Sequence, residues 1–522
     1  MKKYWFYLYP LLFAVFPLIQ YYSSNQYQLL INELYLPLLV SLLIIIFFLF
    51  VFSQHKEKTS LIATIFLLYF FSNKHFYNFL ASYKKFFSLI PLNFKLLSFF
   101  IYTLIFLLIF KKTLSINVKK QHLVFLWIVG TYLVVSNIAR IAPLEIRRLT
   151  IGRQIKNLFN QEVLEELART EKNPATDPDI YYFILDRYAG EPTLKNYYQF
   201  DNFEFYSFLQ DHKFYRVENS YANYPKTFSS LASTLNLTHL DHLTNIIGED
   251  SSDNTALFMM VQNNLVAQYL KKRGYRYYYF GDWWEPTRIS RLADENINLY
   301  AGRNEFIRKF LQTTILEPIT TQIIKKGDIL GFSENLVRDN HLYKFRQLKK
   351  IVDRPGPKYI FAHLLLPHHP YVFDESCAPY SSPTDGKQDF EYINQLRCTN
   401  KKMTALIARI LSRSKKPPII IIQSDEGNFK IDEMNDDGEG VDWTKVSDEA
   451  IAVHMKILNA LYLPDFDRKN FSAIHTPVNT FRLIFNYYFK TKFKMLPDRA
   501  YFIPHLNYPY RFYDITDKLK KF

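Results

Sequence analysis

PPIIIIQSDEGNF, residues 417–429, carries four isoleucines straight into Asp425 and Glu426 and then breaks at Gly427. A run that is apolar at every position is buried on both faces, as in the interior strand of a parallel sheet. The two carboxylates behind it then either reach a metal or belong to an ordinary acidic turn. Further runs of strand type are IYYFIL (180–185), YRYYYF (275–280), KYIFAHLLL (358–366) and MKILNALYL (455–463). Between them, 228–235, 335–352, 392–411 and 478–489 read as helices. Strands that alternate with helices predict a mostly parallel sheet in a three-layer α/β domain.

Sheets of this kind bind ligands beyond the carboxyl ends of their strands. That rule selects Asp186 after the first strand, His368 and His369 after the third, and Asp425 with Glu426 after the isoleucine run. Carboxylates and imidazoles gathered on one edge suit a divalent cation. NYPKTFSSLASTLN, 223–236, adds Thr227 at the start of a helical run. A hydroxyl there either sits where free amides and the helix dipole favour a phosphate or sulfate, or caps the helix with Ser230 in its first turn. His363, inside the third strand, reads equally as a core histidine or a site residue. GDWWEPTR, 281–288, offers Trp283, Trp284 and Arg288. The arginine fork suits a phosphate head group, while the tryptophans could equally be core or face a membrane. DEMNDDGEGVDW, 432–443, is acidic but lacks calcium-loop spacing and reads as a solvated loop near the mouth of the site.

The chain of 522 residues exceeds one ordinary domain, and 48% hydrophobic with 17% aromatic residues is high for a soluble protein. The excess lies at the front. Residues 4–19, 34–52, 61–71, 96–110 and 123–139 are near-unbroken apolar runs, most of them close to the ~20 residues that span a bilayer, which predicts about five transmembrane helices. The third run is short because Lys74 and His75 follow it, so it crosses, re-enters, extends to Leu80 or is a buried core helix. Eight lysines (Lys2, Lys3, Lys56, Lys58, Lys111, Lys112, Lys119, Lys120) fall on one side against four (Lys74, Lys84, Lys85, Lys95) on the other. Lysine-rich loops stay in the cytoplasm, so five crossings leave the rest of the chain outside, and four would reverse this. The first run has no A-x-A-like cleavage site and reads as a retained helix.

The organisation expected is a transmembrane domain at 1–141, a juxtamembrane linker helix at 142–174 and an extracytoplasmic domain at 175–522. The net charge of +15 is spread without a compact basic stripe, which argues against nucleic acid and for an anionic membrane surface; Arg147, Arg148 and Arg153 would lie near its head groups, and a plain solvated face explains them equally well. Cys377 and Cys398 are the only cysteines. Outside the cytoplasm they can persist as a disulfide; the other reading is two buried thiols.

IYYFILDRYA, NYPKTFSSLAS, FAHLLLPHHPY and IIQSDEG, in this order, resemble the sulfatase-like branch of the alkaline phosphatase superfamily. Five membrane helices ahead of an outer catalytic domain are similar to lipoteichoic acid synthase and the phosphoethanolamine transferases. The motifs cover residues 180–489, and the membrane half is similar only loosely. This resemblance implies metal ligands at Asp186, Thr227 and Asp425, with Glu426 where the family usually has histidine. It implies Thr227 as nucleophile and His368, in an H-x-P element with His369 and Pro370, as the residue that binds the phosphoryl group or protonates the leaving group. His363, His369, Trp283 and Arg288 are the further candidates for substrate contact. The implied mechanism is a two-step displacement in which a metal-activated Thr227 hydroxyl takes up the group and passes it to water or an acceptor hydroxyl. The implied substrate is a membrane lipid or envelope glycan bearing a phosphoglycerol or phosphoethanolamine head group, at the outer face of the inner or plasma membrane.

Two departures qualify the resemblance. Neither cysteine stands in the C/S-x-P-x-R element that sulfatases convert to formylglycine, which argues against a sulfuric ester hydrolase. A carboxylate at Glu426 hardens the site, favouring Mn2+ or Mg2+ over Zn2+. It could equally mark a lapsed site, which leaves a catalytically silent protein that binds an envelope lipid or glycan as the alternative.

Overall fold

The computed structural model describes residues 5–51, 56–84, 93–116, 118–153, 158–172, 177–300, 305–324, 334–380, 388–429, 445–467, 476–503 and 507–521. The chain forms two compact units, Met1–Arg153 with Arg303–Ser333, and Gln154–Gly302 with Glu334–Phe522.

The first unit holds α1 (Pro10–Asn25), α2 (Tyr35–Val51), α3 (Lys56–Phe71), α4 (Asn73–Ala81), α5 (Phe94–Ser115) and α6 (Lys120–Arg153). Five of these, all but α4, fall on the apolar runs of the sequence. Among the described residues three helices are long and apolar enough to cross a membrane: Ile31–Val51, Phe94–Ser115 and Lys120–Thr150. The two other apolar runs expected to cross form the shorter helices α1 and α3. α1 has 16 residues with Pro17 inside it, and α3 opens on the polar stretch KEKTS before its apolar part begins. α2 leaves Leu39, Leu43, Ile44, Phe47 and Phe50 exposed, a surface suited to lipid.

α3 ends at Phe71 and the chain turns at Ser72. The corner is tied to the Arg303–Ser333 stretch: Ile315 N–H donates to the Phe70 carbonyl at 2.9 Å and Lys74 N–H to the Thr313 carbonyl at 3.2 Å. Phe310 packs its ring 5.7 Å from Tyr21 and 5.5 Å from Phe71. Lys95 pairs with Glu317 at 2.6 Å. One segment thus crosses the boundary expected at residue 175. No local sequence pattern assigns it; the ring contacts, backbone hydrogen bonds and ion pair just named do.

α6 meets α1 through Gly130, where a Cβ would lie 3.0 Å from Leu12 Cβ and 3.2 Å from Phe13 Cε2. Small residues allow such close helix contacts in lipid. Gly130→Leu is expected to force the two helices apart at a cost of about 1–3 kcal/mol. A lower melting temperature and lower monodisperse yield in detergent, with Gly130→Ala affected less, would show it.

The second unit is built on β1 (Ile180–Leu185), β2 (Tyr215–Arg216), β3 (Arg276–Phe280), β4 (Glu295–Asn296), β5 (Lys358–Leu364), β6 (Ile419–Gln423) and β7 (Asn459–Tyr462). Their order is β2-β7-β6-β1-β5-β3-β4. All neighbours are parallel except β6 with β7 and β7 with β2. The run at 455–463 forms only β7, because Lys456 and Ile457 make isolated bridges to Tyr221 and Ala189 instead.

Alternation sorts the central strands into two buried faces. Tyr181, Phe183, Leu185, Ile360, Ala362, Leu364, Ile420 and Ile422 pack on Leu348 and Ile351 of the Glu334–Ile351 helix and on Met403, Leu406 and Ile410 of the Gln388–Arg413 helix. The opposite face is aromatic: Tyr277 stacks on Tyr359 at 4.9 Å, Tyr279 on Phe361 at 5.1 Å, and Tyr182 meets Phe481 of the Thr480–Phe489 helix at 5.2 Å. Helices on both faces make a three-layer α/β unit. A disulfide joins Cys377 to Cys398.

Candidate metal centre

Asp186 follows β1, Asp425 stands two residues beyond β6, and His363 is the penultimate residue of β5. The register sets Ile184 beside both His363 and Gln423, so the three strand ends are level. Asp186 N–H donates to the Leu364 carbonyl at 3.0 Å, extending the ladder past β1 and planting the carboxylate at its end. His363 continues the face of Tyr359 and Phe361, and that periodicity brings its ring to the same edge. The Asp425 turn is shaped by Ser424, whose hydroxyl donates to the Glu426 carbonyl at 2.6 Å and accepts from Tyr188 N–H at 2.9 Å. Gly427 completes it: a Cβ there would lie 2.6 Å from the Val453 and Lys456 carbonyls.

Ligand atoms of Asp186, His363 and Asp425 all lie within 4.8 Å of one another. His363 Nε2 is 3.1 Å from Asp186 Oδ2. All three residues are buried, yet among the described residues Asp186 Oδ1 accepts no hydrogen bond, and the Asp425 carboxylate has no donor closer than the Thr227 hydroxyl that faces it. Burial, with the neighbouring carboxylates, holds Asp186 and Asp425 well above the usual carboxylate range. Burial pushes His363 down to about 4. Clustered acceptors short of donors, beside a neutral imidazole, fit a divalent cation, whose charge would reverse these shifts.

Glu426 lies beside this trio rather than within it. Its Oε1 is 3.5 Å from Arg187 Nε and its Oε2 is 3.9 Å from His454 Nε2. Burial raises its pKa, while Lys226 and Arg187 work against that rise. The imidazole that the sequence lacks at 426 is supplied to the cluster by His363. Arg187, in the left-handed region at φ 58°, also donates to His369 Nδ1 at 3.1 Å and lies 4.3 Å over the Phe429 ring.

Thr227 is the first residue of the Thr227–Leu235 helix, and the cap position belongs to Lys226, which makes no side-chain cap bond. The capping role open to Thr227 in the sequence is thereby removed. Its hydroxyl lowers the Asp425 pKa and its backbone N–H that of Glu426, so both groups face the carboxylates.

His368 donates from Nδ1 to the His369 carbonyl and stacks on the His369 ring at 4.2 Å. Burial, aided by Arg187, pushes its pKa well below the ordinary histidine value. A neutral ring with Nδ1 donating leaves Nε2 as an acceptor. The loop is held by buried Gln395, which donates to the His368 carbonyl at 2.7 Å and accepts from Val372 N–H at 2.8 Å.

GDWWEPTR reaches the cluster through a residue the sequence did not single out. Thr287 Oγ1 is 2.8 Å from His363 Nδ1, while Arg288 donates to Glu285 at 2.7 and 3.0 Å. Arg187 and Lys226 were also passed over, although each directly adjoins a selected residue. A cation next to a candidate site residue, Asp186 or Thr227, was the available signal. The stretch 432–443 lies outside the described residues.

No family profile matches the chain, and no curated protein matches it. Solved structures do. The C-terminal periplasmic domain of EcEptC from Escherichia coli, in complex with Zn, matches at 11% identity and TM-score 0.40, over 61% of this chain and 85% of that one. The corresponding domain of phosphoethanolamine transferase EptC from Campylobacter jejuni matches at 12% and 0.38, over 62% and 94%. The integral membrane protein lipooligosaccharide phosphoethanolamine transferase A from Neisseria meningitidis matches at 9% and 0.37, over 92% and 94%. Roles for the residues of this chain come from its own geometry.

Proposed function

We propose that the chain is a membrane-anchored, divalent-metal-dependent enzyme that moves a phosphate-linked head group of a lipid or envelope glycan at the outer membrane face, with Thr227 as nucleophile. The observation that carries this reading is the set of buried, under-satisfied oxygens of Asp186 and Asp425 beside His363 and the Thr227 hydroxyl. Asp186, His363 and Asp425 would hold the cation. When bound it would supply positive charge that eases loss of the Thr227 proton and neutralises charge on the phosphoryl group.

The rest falls to side chains. Thr227 Oγ1 forms a bond to phosphorus as the bond to the leaving oxygen breaks. His368 Nε2 takes the Thr227 proton and returns it to the leaving oxygen. Water or an acceptor hydroxyl then displaces Thr227, giving its proton back by the same route. Arg187 and Lys226 offset the charge of Glu426, and Lys226 stands at the cap of the nucleophile helix, where an anionic group would dock. Two oxygen ligands and one imidazole are compatible with Mn2+, Mg2+ or Zn2+, and His363 offsets the hardening expected from Glu426. The lysine asymmetry supports the outer placement.

The test uses the full chain in detergent, because cutting before residue 175 would strip the aromatic partners of Phe306 and Phe310. Metal content is measured, and phosphoethanolamine and phosphoglycerol lipids are offered to the wild type and to Thr227→Ala. The variant is expected to lose activity at least about 1,000-fold while keeping its fold. Equal turnover by both would overturn the nucleophile. A site that takes up no metal would overturn the reading as a whole.

A further inference from the structure

We propose that Thr287 is a positioning residue whose hydroxyl can serve either neutral tautomer of His363, freeing the opposite ring nitrogen to bind a divalent cation. The proposal rests on the metal centre above and concerns how one ligand is presented to it.

Thr287 is fully buried, and its Oγ1 lies 2.8 Å from His363 Nδ1. Across the ring, Nε2 lies 3.1 Å from Asp186 Oδ2. Without a cation, one proton is shared between Nε2 and the Asp186 carboxyl. If Nε2 carries it, Nδ1 is bare and the Thr287 O–H must donate. A cation needs the Nε2 lone pair, so the ring hydrogen must sit on Nδ1 and Thr287 Oγ1 must accept. The ring is neutral throughout: Nε2 gives up one proton and Nδ1 gains one. A hydroxyl meets both demands, whereas a carbonyl or carboxylate could only accept and an amide N–H only donate.

The rest of GDWWEPTR is built to hold this hydroxyl in place. Thr287 N–H donates to the Trp284 carbonyl at 3.0 Å, and Asp282 N–H donates to the Thr287 carbonyl at 3.2 Å. Gly281 is required there, because a Cβ would lie 2.1 Å from the Thr287 carbonyl oxygen. Asp282 pairs with Lys344, whose Nζ also donates to the His363 carbonyl at 2.7 Å. One short stretch therefore fixes His363 at both ends, the ring through Thr287 and the backbone through Asp282 and Lys344. Partners of this type orient metal-binding histidines and set their tautomer.

The experiment strips the full-length protein of metal and titrates it with Zn2+ against a competing chelator, and with Co2+ followed by its visible spectrum. Thr287→Val, which keeps the volume and loses the hydroxyl, is expected to bind Zn2+ about 10–100-fold more weakly and to change the Co2+ spectrum, with Thr287→Ser close to wild type. Thr287→Val binding as tightly as wild type would overturn the proposal, as would Thr287→Ser falling as far as Thr287→Val. Should Thr287→Val fail to fold, 15N NMR of the wild-type histidines decides, with His363→Gln identifying the signal. Zn2+ should leave the proton on Nδ1, and a proton remaining on Nε2 would overturn the inference. A wild type that binds no metal would overturn the metal centre itself, a result distinct from each of these.

Discussion

Lys344→Met is expected to destabilise the second unit by about 3–5 kcal/mol, the cost of leaving one charge of a buried pair alone. Lys344 and Asp282 are each fully buried, and the ammonium donates to the Asp282 carboxylate and the His363 carbonyl. Burial alone would push the Asp282 carboxyl up. The Lys344 ammonium, together with hydrogen bonds from Lys344 and Trp283 N–H, more than offsets this, so its pKa falls below the ordinary 3.8. A carboxyl lowered on folding contributes stability that is present above 3.8 and lost as pH falls through its folded value. Thermal melts of the full chain at pH 7 should show a drop of roughly 10 °C for Lys344→Met, and the gap should narrow in acid. The double variant Lys344→Met/Asp282→Leu should lose less than the two single changes summed, because no orphaned charge remains. Additive losses would mean that the pair is not coupled. Because Lys344 also fixes the end of β5, the single variant should bind metal more weakly as well.

The strands were legible because their burial is two-sided. IYYFIL and IIIIQ cannot be anything but interior, and both form at the expected positions. Strand ends then located Asp186 and Asp425, since a parallel sheet offers its functional side chains at one edge. His363 was harder to place. It lies one residue inside its strand, and only the register of β5 against β1 shows that its ring emerges level with Asp186. Thr287 was not legible at all, because its link to His363 joins residues 76 positions apart that no local pattern relates. Likewise the helices of the Arg303–Ser333 stretch carry no mark of the unit they join. Their membership is written in the rings of Tyr21 and Phe71.

Asp425→Asn is expected to raise the stability of the metal-free protein and to abolish tight metal binding, two effects of opposite sign from one atom. Among the described residues both Asp425 oxygens are buried with only the Thr227 hydroxyl facing them as a donor, and burial together with Asp186 and Glu426 raises the pKa of the carboxyl. A carboxyl raised on folding contributes stability that is fully present below 3.8 and lost as pH rises through its folded value. In chelator at neutral pH the wild type therefore carries an ionisation penalty that the amide escapes, and the amide can donate to Asp186 Oδ1. The variant should melt higher there by an amount worth about 1–3 kcal/mol, with the difference vanishing near pH 4. Adding metal should reverse the order. The wild type then gains stability with each multiple of its dissociation constant, while the variant, short of one ligand, gains little. The crossover between chelator and metal separates a site assembled for a cation from an acidic turn that happens to be buried. A variant less stable than wild type in chelator would mean that the Asp425 carboxylate is satisfied by the protein alone, and Asp186, His363 and Asp425 would then form a structural cluster.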